Sequence, residues 1–202
     1  SVIVTVACVA TTMFTTILAA FAFSRLKFPG RDLLFSLTLS MMMVPFEMLI
    51  ITNYSTIVKM GLIDTLAALI IPFTTSIFYT YILRNFFLSV PDSLYYSARV
   101  DGAGNWTYLW RIMVPIAKPA LVTIGLLNAI TCWNSFLWSV LVTNSTEVRT
   151  LPFGLYAFMT SSGIRYERLM AAATIVVVPM IILFIFCRKS IVTGVSRGGL
   201  KG

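Results

Sequence analysis

The sequence is poor in the side chains that carry most protein chemistry: its 202 residues include no histidine, seven acids and three cysteines. Cys8, Cys132 and Cys187 all fall within apolar runs and show no CxxC spacing, so they are interpreted as small buried residues, with no metal site or disulfide predicted. The GxxxxGK[ST] pattern of a nucleotide-binding loop is absent, so any activity of this chain that depends on ATP hydrolysis would need an ATPase on another polypeptide. Only 11% of the residues are charged, against about 25% in average soluble domains, which excludes that class.

Long hydrophobic runs make up most of the chain. Hydrophobic residues account for 58% of it, and the mean hydropathy is +0.92. Each run has about 20 residues, enough for a helix to cross roughly 30 Å of hydrocarbon, whereas the ten-residue alternation of barrel strands is absent. The sequence therefore predicts one all-α, polytopic transmembrane helical bundle over residues 1–202, with five spans at 2–24, 33–54, 66–87, 120–142 and 170–187.

The net charge of +8 follows membrane topology, so no nucleic-acid partner is predicted. The cations concentrate in alternate loops, which predicts an external N-terminus and a cytoplasmic tail at residues 188–202. The eleven cations predicted inside are Arg25, Lys27, Arg31, Arg84, Arg99, Arg111, Lys118, Arg188, Lys189, Arg197 and Lys201, and the four predicted outside are Lys59, Arg149, Arg165 and Arg168. Because five spans and these ends accompany a start at Ser1, we expect a sixth span to precede this sequence.

The longest polar interval between two apolar runs, residues 89–119, is patterned as two short helices around a glycine break. Pro91 suits the first turn of a helix, and Leu94, Tyr95 and Ala98 give that helix an apolar face. The helix should end at residues 101–104, where glycines accept the left-handed conformation, and Asn105 can cap the next helix. That second helix carries an apolar stripe of Trp106, Leu109, Trp110 and Met113. A helical hairpin at the membrane surface is predicted, and an interfacial connector without further function remains an alternative.

The spacing within this interval resembles the cytoplasmic signature loop of ABC importer permeases. The family pattern is Glu-Ala-Ala, three residues, Gly, nine residues, Ile, any residue, Leu and Pro. Here Tyr96-Ser97-Ala98 is followed by three residues, Gly102, nine residues, and then Ile112-Met113-Val114-Pro115. The segments AFAFSRLKFPGR, CWNSFLW and GVSRGGLKG are similar to the carbohydrate-uptake branch, in particular to the maltose-type second permease subunit.

The resemblance implies a type I ABC importer permease with six spans and a coupling helix-turn-helix. It implies partners in a cytoplasmic ATPase dimer, a second homologous permease and an extracellular solute-binding protein, within the lipid of a bacterial plasma membrane. ATP would be used by the ATPase subunits, and this chain would be no enzyme and bind no cofactor. The residues that the resemblance assigns to coupling are Pro91, Tyr96, Ser97, Ala98, Asp101, Gly102, Ala103, Ile112 and Pro115. The family's Glu is Tyr96 here, so its acidic contact is replaced by a side chain that can pack or donate a hydrogen bond.

Four residues in or near the predicted spans are candidates for the substrate pathway. Glu47 either accepts hydrogen bonds from substrate hydroxyls, or caps the kink at Pro45, or pairs with a cation of a partner subunit. Asn134 and Trp138 are placed four residues apart on one helical face, with Trp133 beside them, which suits either a sugar ring or packing between spans.

The long loop at residues 150–168 is predicted to be external and to contain a short helix after Pro152. Its aromatic residues, Phe153, Tyr156 and Phe158, suit either contact with a solute-binding protein or anchoring at the membrane interface.

The predicted function is therefore uptake of a sugar or oligosaccharide by an ATP-driven importer. An importer of glycerol-3-phosphate or a polyol is an alternative, although no Lys or Arg lies in the middle of a span to meet a phosphate. An ion-coupled carrier is a second alternative, but Glu47 is the only acid well inside a span and no internal repeat is visible.

Overall fold

The computed structural model describes residues 1–157 and 166–198, and every regular element in these two ranges is helical. The α-helices are α1 (Val2–Arg25), α2 (Arg31–Met41), α3 (Ile50–Lys59), α4 (Leu66–Ile70), α5 (Ile77–Ser89), α6 (Asp92–Val100), α7 (Asn105–Tyr108), α8 (Val114–Ile116), α9 (Lys118–Trp133), α10 (Leu137–Val142), α11 (Leu151–Ala157) and α12 (Tyr166–Gly198). Short 3-10 turns cover Phe46–Leu49 and Ile71–Phe73, and a π-helical turn covers Leu109–Met113. The predicted all-α fold is confirmed.

Among the described residues, two helices, α1 and the Tyr166–Arg188 part of α12, are long and apolar enough to cross a membrane unaided. Three bent helix pairs meet the same criteria, so that up to five crossing segments are present by length and composition. The bend between the Asn105–Ile116 segment and α9 is 78°.

A break in the helix replaces the simple kink predicted for the second span. Helix α2 ends at Met41, and Pro45 adopts an extended conformation with φ −62° and ψ 142° before the 3-10 turn begins. Proline has no amide hydrogen and restricts the residue before it, which disfavours a continuous helix at this point.

The fourth predicted span is wrong in its extent, because α9 ends at Trp133 and α10 begins only at Leu137. On an unbroken helix, residues 133 and 138 would be rotated by about 140° from each other. The break allows both indole groups to be buried, each donating to a different backbone carbonyl: Trp133 Nε1 to Val176 at 3.0 Å and Trp138 Nε1 to Ala68 at 2.9 Å.

The last helix extends further than predicted at its C-terminal end. We expected the span to stop at Cys187, but α12 continues to Gly198, so most of the predicted tail is helical. The cations from Arg188 onward end the apolar run without ending the helix, because lysine and arginine are good helix formers.

The chain divides into two compact units. The first comprises Ser1–Thr11, Pro45–Thr74 and Leu126–Arg188. Its hydrophobic core is formed by Val4, Cys8, Ile57, Ala68, Leu69, Cys132, Trp138 and Val142. Cys8 and Cys132 are therefore buried, as predicted, whereas Cys187 is only half-buried.

The second unit comprises Thr12–Val44, Thr75–Gly125 and residues 189–202. Its core brings together the second half of α1, helix α5, and the loop at 89–119. The buried members are Ile17, Ala20, Phe21, Tyr79, Leu83, Phe87, Val90, Ala98, Tyr108, Leu109, Met113, Ala117, Leu121 and Ile124. The loop that carries the signature spacing is thus part of a packed core.

Candidate functional site

The first helix of the 89–119 loop, α6, presents most of its side chains to solvent. Pro91 occupies the N-cap position, and Asp92 lies in the first turn, where a negative charge complements the helix dipole. Tyr96 and Ser97 are exposed, whereas Ala98 is buried in the core of the second unit. Of the three signature residues, only the last is therefore a packing residue.

The turn after α6 is a Schellman motif, as the glycine pattern predicted. The Gly102 amide donates to the Arg99 carbonyl at 3.1 Å, and the Ala103 amide donates to the Ala98 carbonyl at 2.9 Å. Asp101 is the exposed C-cap residue, and Gly102 has a φ of +79°. The left-handed conformation explains why the pattern needs glycine at this position.

The cap of the second helix lies one residue earlier than proposed. Gly104 is the N-cap, and Asn105 is the first helical residue, which corrects the expectation that Asn105 caps the helix. Its side chain instead accepts a hydrogen bond from the Tyr95 hydroxyl at 2.9 Å. Asn105 therefore ties α7 back to α6.

The apolar stripe predicted for this helix is partly wrong. Leu109 and Met113 are buried as expected, but Trp106 is 62% exposed and the fully buried aromatic residue is Tyr108. A π-helical turn at Leu109–Met113 accounts for the difference, because its wider spacing changes which residues face the core. Tyr108 packs against Phe21, with ring centroids 6.3 Å apart.

The other predicted coupling residues lie at the edges of this packing. Ala103 and Ile112 are partly buried and pack against the core of the second unit. Pro115 lies in the first turn of α8 and is exposed. The packing of Ala103 and Ile112 suits a role in shaping the hairpin.

Four large apolar side chains of the hairpin are exposed. We define the α6–α7 surface as Leu94, Tyr96, Val100 and Trp106, all large and exposed, with Val100 at 88%. Large apolar side chains at such exposure are favoured where another protein or a membrane covers them. The cation Arg99 is also exposed, within α6.

Arginine side chains fasten the start of α6 to the rest of the second unit, which the sequence reasoning missed. Arg25 donates to the carbonyls of Phe87 and Val90 and forms an ion pair with Asp92. Arg84 donates to the carbonyl of Phe23 at 3.1 Å. Both arginines were counted only as topology charges, and the one available signal was the position of Arg25 within AFAFSRLKFPGR.

The four candidate pathway residues lie in different surroundings. Trp133 and Trp138 are 3% and 2% exposed, and their indole nitrogens already donate to backbone carbonyls. Asn134 is exposed in the break after α9, so the prediction that it shares a face with Trp138 is wrong. Glu47 is exposed in the 3-10 turn after Pro45, and its carboxylate accepts no hydrogen bond from the described residues, so no cap of the Pro45 kink by Glu47 is seen there.

The carboxylate of Asp64 connects two loops that are predicted to be external, the one after α3 and the one after α10. Asp64 has a φ of 62°, and its Oδ1 accepts hydrogen bonds from the amides of Asn144 and Ser145 at 2.8 and 2.9 Å. These two backbone donors hold the pKa of Asp64 below its usual range. The short helix predicted after Pro152 is present as α11, which begins one residue before that proline, while Phe158 lies outside the described residues.

No group of three His, Cys, Asp or Glu side chains comes together as a metal site would require, across the part of the chain that the structure describes. With its apolar helices and its folded polar hairpin, the structure defines a polytopic, all-helical membrane protein.

The comparisons with known proteins then identify the family. Residues 12–198 match the family of binding-protein-dependent transport system inner membrane components, and the chain belongs to it. It is a permease subunit of an ABC importer.

Similar proteins include the arabinooligosaccharides transport system permease proteins AraQ of Halalkalibacterium halodurans and Bacillus subtilis. The first is 32% identical over all of this chain and 72% of that relative, and the second is 35% identical over 94% and 70%. An sn-glycerol-3-phosphate transport system permease protein, UgpE of Yersinia pestis, is 31% identical over 88% of this chain and 64% of its own length.

The chain also resembles a subunit in the crystal structure of a bacterial ABC transporter involved in the import of the acidic polysaccharide alginate. The TM-score is 0.74 at 28% identity, covering 99% of this chain and 72% of that one.

Proposed function

We propose that this permease moves a neutral sugar or oligosaccharide into a bacterial cell, with a second, homologous permease completing the pathway. The arabinooligosaccharide permeases among its relatives support this substrate class. An extracellular solute-binding protein delivers the solute. Two cytoplasmic ATPase subunits supply the energy, since this sequence lacks a nucleotide-binding loop.

The observation that carries the coupling proposal is the hairpin of α6 and α7. Its Schellman turn and the Tyr95–Asn105 hydrogen bond hold the two helices at a fixed angle, while the α6–α7 surface remains exposed. A hairpin fixed in this way moves as a lever when the ATPase pair closes around α6. The distribution of cations supports placing this hairpin and the C-terminus on the cytoplasmic face of the plasma membrane.

Site-specific photo-crosslinking tests this arrangement. A benzophenone side chain at Val100, the most exposed residue of α6, should crosslink to an ATPase subunit in membranes that contain the whole transporter. The matched control is Met60, which is also exposed but lies in a loop predicted to be external. Crosslinking to the ATPase from both positions, or from neither, would contradict the proposed docking surface.

Import of glycerol-3-phosphate is a second candidate, because one relative carries that name. A phosphate should require cations along the pathway, and no Lys or Arg lies in the middle of a predicted span. The two candidates differ in a competition assay with the reconstituted transporter and its solute-binding protein. We expect unlabelled neutral oligosaccharides to inhibit uptake and glycerol-3-phosphate to have no effect; the reverse would replace the sugar proposal.

A further inference from the structure

Arg25, at the end of α1, is a buried cation with three acceptors around it. Its side chain is 5% exposed. One terminal nitrogen donates to the carbonyls of Phe87 at 2.6 Å and Val90 at 2.5 Å, and the other contacts the carboxylate of Asp92. A single guanidinium therefore holds the end of α5, the linker and the first residue of α6.

A second arginine makes the reciprocal connection. Arg84, on α5, donates from Nε to the carbonyl of Phe23 in the last turn of α1, and its guanidinium stacks 4.0 Å from the ring centroid of Phe35. The last carbonyls of a helix have no partner within the helix and carry its negative dipole end. Each of the two helices thus supplies a cation that donates to carbonyls at the C-terminal end of the other.

The chain itself joins α6 to α5 through only two residues, Val90 and Pro91, whereas Arg25 and Asp92 are 67 positions apart. Movement of α6 can therefore reach α1 only through non-covalent contacts. Apolar packing of the hairpin against Phe21 contributes, but it is non-directional. The guanidinium of Arg25 is the directional contact, because its planar fork of N–H donors points at fixed acceptors.

We propose that Arg25 is a positioning residue that makes α6 move together with α1, so that displacement of the hairpin reaches the first span directly. This inference rests on the proposed coupling of the hairpin to an ATPase. The alternative is that movement of the hairpin reaches the spans only through α5 and α9, the helices to which it is covalently attached. Arg25 would then govern how much transport each ATP molecule produces, beyond any effect on folding.

The contacts also predict an order among variants. Arg25→Gln keeps a polar side chain but loses the charge and the fork. Arg25→Lys keeps the charge and can reach fewer of the three acceptors at once. Asp92→Asn removes one charge from an exposed position and leaves both carbonyl contacts in place. Loss of coupling should therefore be largest for Arg25→Gln, smaller for Arg25→Lys and smallest for Asp92→Asn.

The test uses the complete transporter in proteoliposomes, with its solute-binding protein and a radiolabelled oligosaccharide. Uptake and ATP hydrolysis are measured together, and copurification of the subunits is measured separately. Lys27→Gln is the matched control, because Lys27 is two positions away, exposed, and free of ion pairs within the described residues. We expect uptake per ATP to fall about tenfold in Arg25→Gln, in the range of coupling effects along transmission paths, and to stay unchanged in Lys27→Gln.

The outcomes separate this inference from the proposal beneath it. If the wild-type transporter shows no ATP-dependent uptake, the proposed function fails. If the wild type is coupled and Arg25→Gln retains its ratio of uptake to hydrolysis, the inference is overturned while the function stands. Should Arg25→Gln fail to assemble, Arg25→Lys decides: a lowered ratio supports the inference, and an unchanged ratio overturns it.

Discussion

Gly102 offers the sharpest test of the hairpin, because its backbone conformation disfavours a side chain while the space around it would accept one. Its φ of +79° is costly for a residue with a side chain, yet a Cβ built there meets nothing within 4 Å. A substitution therefore strains the backbone without a steric clash inside the chain. The expected cost is about 1–2 kcal/mol for an ordinary residue and less for asparagine, which tolerates this region better.

Gly104 supplies a matched control two residues away. A Cβ at this position also meets nothing within 4 Å, but its φ is −74°, which any residue adopts. Gly104 is the N-cap of α7, where serine is a preferred residue. The same change to serine should therefore strain the turn at Gly102 and leave it intact or slightly stabilised at Gly104.

Limited proteolysis measures this difference directly on the purified transporter. A cost of about 1–2 kcal/mol raises the population of the opened turn roughly 5–30-fold, so tryptic cleavage after Arg99 should accelerate by a similar factor in Gly102→Ser. Gly102→Asn should fall between that variant and the wild type. Equal cleavage rates in Gly102→Ser and Gly104→Ser would refute the argument from φ. A larger side chain, as in Gly102→Trp, should also abolish ATP-dependent uptake while the protein remains in the membrane, if this turn couples to the ATPase.

Three further predictions concern other parts of the chain. Because the pKa of Asp64 is lowered in the folded protein, the ionised carboxylate stabilises the fold fully above the ordinary pKa of about 3.9, and this stabilisation is lost as pH falls through the lower folded pKa. The melting temperature should thus decline more steeply below about pH 4 in the wild type than in Asp64→Asn. Equal slopes of melting temperature against pH in the two proteins would contradict this. Trp138→Phe leaves the Ala68 carbonyl without its donor and should cost about 1–3 kcal/mol with KM for uptake unchanged, whereas a changed KM at unchanged stability would assign Trp138 to the pathway. The Tyr108 hydroxyl is buried without a hydrogen-bond partner among the described residues, so Tyr108→Phe should not lower the melting temperature, and a clear loss would contradict this.

The hairpin could be predicted from the sequence because its determinants are local. Glycine at position 102, a proline before α6 and the residues between them fix a helix, a left-handed turn and a second helix within fifteen positions or so. The exposed face of α7 could not be predicted in the same way. The π-helical turn after Tyr108 has no compositional signature, and it replaces Trp106 by Tyr108 as the buried aromatic residue.

The connections of Arg25 lie beyond sequence reasoning for a different reason. Its acceptors are more than 60 positions away, and two of them are backbone carbonyls, which every residue possesses. A cation at the end of a span satisfies the topology rule whether it faces headgroups or is buried. The count of charges therefore explains why a cation follows the first span, but it does not indicate which groups Arg25 binds.

The burial of Trp133 and Trp138 argues against stacking of a sugar ring on either indole group. Recognition of a sugar ring by an aromatic side chain needs an open ring face, and both indoles are enclosed and hydrogen-bonded to backbone carbonyls. Glu47 and Asn134 are the two predicted pathway residues with exposed polar side chains, and both lie where a helix is interrupted. Interrupted helices expose backbone carbonyls and amides beside these side chains, and such groups suit sugar hydroxyls. We therefore expect any stacking of the sugar to come from the second permease, with this chain contributing polar contacts from its helix breaks.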